Sequence, residues 1–251
     1  MCEICGCSGE HRHGHGQESV HDRDHVHDRP ALRFEPVQTK ILARNQKLAA
    51  RNRQLLADLH VFAFNLMSSP GAGKTRLLTH TLPELRKTGP VLVIEGDQAT
   101  ALDADRIAQL GVPVVQINTG KGCHLEADTV FSALQQLSPA PGALLVIENV
   151  GNLVCPALFD LGEHKRVVLL SVTEGDDKPE KYPHMFAAAD VVVLTKLDLL
   201  PHVDFDLARA RRAVQLLNPK AQWLQVSAKT GAGMPEWLGW LETQRALHAA
   251  R

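Results

Sequence analysis

An excess of either charge is missing from this 251-residue chain: 27 Lys and Arg stand against 28 Asp and Glu, for a formal net charge of -1 and a pI near 6.9. Without a basic field, neither nucleic acid nor an anionic membrane is an expected partner. Long apolar runs are missing too, and no stretch of eighteen or more apolar residues occurs, so no transmembrane helix is expected. The first residues hold no basic segment followed by an apolar one, which argues against a secretory leader and for a cytoplasmic protein. No repeat at a solenoid period is found. Cysteines number five, an odd count that suits metal ligands or buried thiols in a reducing compartment better than disulfides.

What is present divides into two unlike parts. Residues 1–35 hold Cys2, Cys5, Cys7, His11, His13, His15, His21, His25 and His27 among glycines, arginines and acids. So few apolar side chains cannot offset the entropy of ordering, so a flexible metal-binding tail is expected there. Residues 36–251 form the second part, with 44% hydrophobic residues in the whole chain to build a core. Its first stretch, 36–59, places Val37, Ile41, Leu48, Leu55, Leu56 and Leu59 near helical spacing, which predicts a helix packed on the main domain. Strand-like apolar runs then alternate with helical stretches: His60 to Met67, Val91 to Glu95, Val114 to Ile117, Ala143 to Ile147, Val167 to Val172, Val191 to Leu194 and Trp223 to Val226. This rhythm predicts an α/β domain with a mostly parallel sheet covered by helices on both faces and a ligand beyond the strands' carboxyl ends.

The motifs fall at those ends. Ser68-Ser69-Pro70-Gly71-Ala72-Gly73-Lys74-Thr75, between a strand and a helix, reads as the phosphate-binding loop of a P-loop NTPase. Gly71, Ala72 and Gly73 would wrap phosphate in backbone N–H groups, Lys74 would neutralise β/γ oxygens, and the Thr75 hydroxyl would reach Mg²⁺. Ser68 stands where the consensus begins with glycine, so the first turn is expected to differ. Asp97, in Glu95-Gly96-Asp97, is a candidate to hold Mg²⁺ or to position water, and Glu148 a candidate for the Walker-B role, with Gly151 free to swing toward the γ-phosphate. Such carboxylates could also merely cap helices. Thr195-Lys196-Leu197-Asp198 is similar to the guanine-reading signature: Asp198 can accept from guanine N1–H and its amine, and adenine cannot match it. Arg76 follows the phosphate loop, and Ser227-Ala228-Lys229 resembles the loop that meets guanine O6 through backbone N–H. GTP and GDP are therefore the expected nucleotides.

Two clusters of soft ligands remain. Cys2, Cys5 and Cys7 offer three thiolates on a short loop, suited to Ni²⁺ in a planar set or Zn²⁺ in a tetrahedral one. The tail histidines read as a collector or store of several ions. Inside the domain, Cys123, His124 and Cys155 form a possible site one ligand short of tetrahedral, although scattered small cysteines are often only core residues. Cys155 lies four residues beyond Gly151, which would let the nucleotide reshape the site.

These segments together resemble the HypB family, the nickel-insertion GTPases of nickel–iron hydrogenase maturation. The resemblance rests on the Cys2-Glu3-Ile4-Cys5-Gly6-Cys7 start, the Asn65 to Thr75 loop, Glu95-Gly96-Asp97-Gln98, Gly120 to His124 and Glu148 to Pro156. It implies a GTPase that forms a homodimer with GTP, binds nickel or zinc at Cys123, His124 and Cys155, and passes nickel toward the hydrogenase large subunit precursor with a HypA-type accessory metallochaperone. Thr195 departs from the more usual Asn of the guanine motif, and Arg76 from a second Thr. Lys178 and Lys181 are candidates to reach nucleotide across the dimer. The urease nickel GTPase is a close alternative, disfavoured by the cysteine tail. A nickel store on an idle GTPase scaffold is a different one.

Overall fold

The computed structural model describes residues 35–98 and 102–249. The expected tail, with Cys2, Cys5, Cys7 and its histidines, lies outside the described residues.

Seven strands form one sheet in the order β3-β2-β4-β1-β5-β6-β7. They are β1 (Phe62–Met67), β2 (Val91–Asp97), β3 (Val114–Asn118), β4 (Leu144–Glu148), β5 (Lys165–Ser171), β6 (Val191–Thr195) and β7 (Gln222–Gln225). Every pairing is parallel, so each of the expected strands is present with ends moved by one or two residues. The first begins at Phe62 rather than at His60 because His60 adopts a left-handed φ of 52° and turns the chain into the sheet.

Helices cover both faces: α1 (Glu35–Asp58), α2 (Lys74–Leu85), α3 (Leu102–Ala108), α4 (Ala127–Leu137), α5 (Cys155–Leu158), α6 (Lys178–Lys181), α7 (Pro183–Ala187), α8 (Leu207–Leu217) and α9 (Met234–Ala249). A 3-10 helix spans Leu197–His202. Alternation along β1 sorts the two cores. Phe62, Phe64 and Leu66 pack with Leu77, Leu78, Trp237 and Leu241 of α2 and α9, and Ala63 packs on the other side with Leu56 and Leu134 of α1 and α4. On that same side, Met67, Leu170 and Leu194 meet Phe186 and Val214 of α7 and α8. No described helix is long and apolar enough to cross a membrane.

The docking of α1 differs from its hydrophobic periodicity. The deeply buried stripe is Asn45, Ala49, Asn52 and Leu56, with Ile41, Leu48, Leu55 and Leu59 only partly covered. Asn45 donates to Asp160 O at 2.7 Å and accepts from the Ala127 N–H at 2.9 Å. Asn52 donates to both Ala127 O at 2.7 Å and Leu161 O at 2.9 Å. The helix is thus pinned by amides that satisfy backbone groups of neighbouring segments, which an apolar count cannot see. Gly162, at φ 93°, permits the approach, since a Cβ there would lie 2.6 Å from Asn52 Cβ. Replacing Asn52 by Ala orphans two buried carbonyls, and we expect a loss of about 2–4 kcal/mol in urea unfolding, whereas exposed Gln46→Ala should change stability by less than about 0.5 kcal/mol.

Candidate functional site

All the motif loops emerge at the carboxyl edge of the sheet. β1 runs into the phosphate loop, where Gly71 and Gly73 take φ of 78° and 97°, the two positions that need glycine. Ser68 has no positive φ, so its place at the head of the loop costs nothing there. Its hydroxyl instead accepts from Lys74 Nζ at 3.1 Å and donates to Ser69 O at 2.6 Å. Ser69 hydrogen-bonds the Glu174 carboxylate, which also takes the Ser171 N–H at 3.2 Å, and so ties the loop after β5 to the phosphate loop.

A cavity of about 240 Å³ is lined by Pro70, Gly71, Lys74, Glu95, Asp97, Gln98, Asp103, Glu148, Asn149 and Gly151. The β2–β4 register sets Glu95 directly beside Glu148. Burial, then the neighbouring Glu148 and Asp97 charges, push Glu95 up to about 8. Burial also raises Glu148, to about 7, although Lys74 and a 2.7 Å hydrogen bond from the Thr75 hydroxyl oppose the shift. Lys74 is lowered by burial and partly rescued by Glu148, Asp103 and Glu95. Glu95 Oε2 and Glu148 Oε2 are buried with no hydrogen-bond partner among the described residues. Hard oxygen donors of this kind fit a small divalent cation. Glu95 is not among the residues that the motifs mark, although a glutamate closing the apolar run Val91-Leu92-Val93-Ile94 is itself a signal.

On the other side of the phosphate loop lies a cavity of about 360 Å³ lined by Ala72, Gly73, Arg76, Thr195, Lys196, Asp198, Ala228 and Lys229 among others. Eight of the expected nucleotide residues from three distant motifs, Ala72, Gly73, Arg76, Thr195, Lys196, Asp198, Ala228 and Lys229, thus meet in one place. The Thr195 hydroxyl donates to Ala72 O at 2.7 Å, so the residue that replaces Asn ties β6 to the phosphate loop. Lys196 sits in the left-handed region at φ 57°, which starts the turn that presents Asp198. Asp198 accepts from Ser227 Oγ at 2.6 Å, the main cause of its lowered pKa, and stays a charged acceptor. The Ser227 N–H is bonded to Ala232 O at 2.8 Å, so that residue supports Asp198 through its side chain and does not offer its backbone amide to the cavity.

The third cluster lies between the loops after β3 and β4. Ligand atoms of Cys123, His124 and Cys155 all fall within 4.8 Å of one another. The two sulfurs are 3.1 Å apart, well beyond a bonded disulfide of about 2.05 Å, and Cys123 Sγ is 3.7 Å from His124 Nδ1. Cys155 and His124 are buried, Cys123 is half-buried. Burial lowers the His124 pKa and favours the neutral, ligating imidazole. Its Nε2 has no hydrogen-bond partner among the described residues, with Glu126 Oε1 at 3.8 Å. The ring packs 3.9 Å from Phe159, and Asn152 Nδ2 holds Cys123 O at 3.2 Å. Lys178 and Lys181 stand apart from both cavities: Lys178 lies 5.1 Å over the Tyr182 ring and Lys181 pairs with Asp177 at 2.5 Å.

Residues 62–225 match the family model of the CobW/HypB/UreG nucleotide-binding domain. A hydrogenase maturation factor HypB of Azotobacter vinelandii is 56% identical over 209 residues, 83% of this chain and 69% of that protein. The HypB of Escherichia coli is 48% identical over 237 residues, 94% of this chain and 80% of that one. Among solved structures, HypB from Archaeoglobus fulgidus superposes with a TM-score of 0.76 at 39% identity, covering 81% of this chain and 99% of its own. HypB from Helicobacter pylori, solved in complex with nickel, gives 0.77 at 37% identity over 82% and 97% of the two chains. The chain belongs to the HypB family of hydrogenase maturation factors.

Proposed function

We propose that the chain is a GTP-hydrolysing nickel metallochaperone that delivers nickel to a hydrogenase large subunit precursor in the cytoplasm, with GTP-dependent dimerisation controlling metal binding and transfer. One observation carries the reading: the loop after β4 lines the phosphate cavity and leads to Cys155, and the loop after β3, with Cys123 and His124, is hydrogen-bonded to the cavity's other wall. Gln98, next to Asp97, donates to Gly122 O at 3.1 Å, one residue before Cys123. Gly151 rests on the phosphate loop so closely that a Cβ would lie 2.9 Å from Pro70 Cα, and Cys155 follows four residues later. A γ-phosphate that displaces either loop would therefore move a metal ligand.

In this reading the amides from Gly71 to Thr75 and the Lys74 ammonium hold the β/γ-phosphates, and Asp97 and Glu148 orient the attacking water. Thr75 and Asp97, backed by Glu148, would hold Mg²⁺, which neutralises charge on the phosphate oxygens and on the crowded carboxylates. Asp198 accepts from the guanine edge, Lys196 lays its stem over the base, and the Ala228 and Lys229 amides are left to meet guanine O6. Nickel, the cargo, or zinc would sit on Cys123, His124 and Cys155, with the fourth ligand from water or a second subunit. Val154 and Leu158, each 44% exposed on either side of Cys155, supply an apolar surface for that second copy. Lys178 and Lys181 remain the proposed cross-subunit contacts to nucleotide. Cys2, Cys5 and Cys7 would load nickel onto the chain, and a HypA-type metallochaperone would take part in the handover.

The direct test is nickel titration against a competing chelator with GDP and with a non-hydrolysable GTP analogue. We expect affinities that differ ~5–150-fold between the two states and a difference that disappears in Cys155→Ala. Equal affinities would leave the tail as a store and remove the metal switch. Asp198→Asn should cut the preference for GTP over xanthosine triphosphate by at least about 100-fold in competition binding, since the amide presents a donor where guanine has one.

The raised carboxylates set a pH dependence. Above the ordinary carboxylate value of 4.5 the unfolded chain has released protons that folded Glu148 and Glu95 keep until about 7 and about 8. The folded state then binds more protons, so these groups make stability fall as pH rises through that window. Melting temperatures of the nucleotide-free protein should drop between about pH 5 and about pH 8, and Glu95→Gln should flatten the slope.

A further inference from the structure

One polar side chain interrupts the apolar run of β1, Phe-Ala-Phe-Asn-Leu-Met, and that residue, Asn65, is fully buried. A buried amide is tolerated only when its donors and acceptor are met, so its partners are the reason it can be there. Asn65 Oδ1 accepts from Asn149 Nδ2 at 3.2 Å, and Asn65 Nδ2 donates to Glu163 Oε1 at 3.4 Å. Asn149 is also buried, lines the phosphate cavity and follows Glu148 directly. Its Oδ1 accepts two backbone N–H groups, from Val150 at 2.9 Å and from Leu125 at 3.3 Å. Leu125 is the residue after His124.

The other end of this chain of bonds returns to the same cluster from behind. Glu163, buried, accepts from Arg166 Nε at 2.8 Å and from the Leu161 N–H at 2.7 Å. Arg166 Nη1 in turn reaches Ala157 O in α5 at 3.4 Å. The segment so held carries Phe159, whose ring packs on His124, and α5 begins with Cys155. One end of the relay therefore grips the backbone beside His124, and the other grips the segment that backs His124 and Cys155.

We propose that Asn149, Asn65 and Glu163 are positioning residues that read the state of the phosphate cavity and set the geometry of the Cys123, His124 and Cys155 cluster. This rests on the reading of that cluster as a nucleotide-gated metal site. A planar amide has its donor and acceptor on fixed sides, and a hydrogen bond weakens steeply as its angle bends. A shift of the Asn149 peptide when phosphate enters the cavity must therefore be followed by Leu125 and Asn65, or the bonds are lost in a water-poor interior where nothing replaces them.

The test measures nickel dissociation constants of the full chain with GDP and with a non-hydrolysable GTP analogue, in wild type, Asn65→Asp and the double variant Asn65→Asp with Glu163→Gln. Asn65→Asp keeps the acceptor for Asn149 but sets a second carboxylate against Glu163. The double variant restores a donor–acceptor pair with reversed polarity between these two residues, while the Arg166 Nε bond to the same Glu163 oxygen is given up. The wild-type ratio between nucleotide states should depart from one by ~5–150-fold, Asn65→Asp should bring it within about twofold of one, and the double variant should restore part of it. A structural role alone would weaken nickel binding in both states alike, and an unchanged ratio in folded Asn65→Asp overturns the relay while leaving the gated site intact. A wild-type ratio of one overturns both. If Asn65→Asp does not fold, Glu163→Gln alone, whose NH2 group either faces the Asn65 Nδ2 and Arg166 Nε donors or gives up the Leu161 bond, should collapse the ratio, and a preserved ratio there overturns the relay.

Discussion

The crowding of negative charge beside a single ammonium is the constraint on which the site depends. Glu95, Asp97, Glu148 and Asp103 line one cavity with Lys74, and the pairing of β2 with β4 forces Glu95 and Glu148 side by side at the sheet edge. Burial and mutual repulsion hold two of these carboxyls far above their ordinary range. A protein selected for stability alone would not gather these groups, because each raised carboxyl costs folding energy at neutral pH. The arrangement fits the proposed Mg²⁺, whose positive charge would relieve it.

The same sheet edge explains why a phosphate cavity and a thiol cluster come to lie on adjoining loops. Parallel strands deliver every connection from strand to helix at one end, so the segments after β2, β3 and β4 are neighbours whatever they carry. Gly96 packs so tightly under Leu125 that an added Cβ would lie 2.8 Å from the leucine side chain, and Gly151 sits against Pro70. Glycines at these two contacts remove the slack that side chains would introduce. Coupling between the phosphate cavity and the thiol–imidazole cluster, as proposed, then needs no long path: the bonds from Gln98 to Gly122 O and from the Leu125 N–H to Asn149 Oδ1 cross it in one step each.

Much of this was legible in the linear chain because it depends on local chemistry. The spacing of Gly71, Gly73, Lys74 and Thr75 follows from what a phosphate needs of a strand-to-helix turn, and the apolar runs that became β1 to β7 follow from burial on both faces. Less legible were interactions in which a residue's partner lies far along the chain. The buried stripe of α1 centres on Asn45 and Asn52, whose carbonyl and amide partners are 75 to 115 residues away, so periodicity finds Leu56 but also points to Leu48, Leu55 and Leu59, which are only partly covered. Ser227 showed the same limit: its motif suggested a backbone contact with base, and the fold turns its hydroxyl to Asp198 instead.

By itself the sequence determined the family, the α/β class, the nucleotide motifs and which thiols and imidazole are available, because these are carried by residue type and short spacing. Tertiary structure decided which of those groups meet. It joined Cys123 and His124 to Cys155 across 32 residues and paired Glu95 with Glu148 through strand register. It also gave Asn65 a purpose in a strand where no polar residue would be chosen for packing. Long-range pairings of this kind depend on the order of strands in the sheet, which no local spacing encodes.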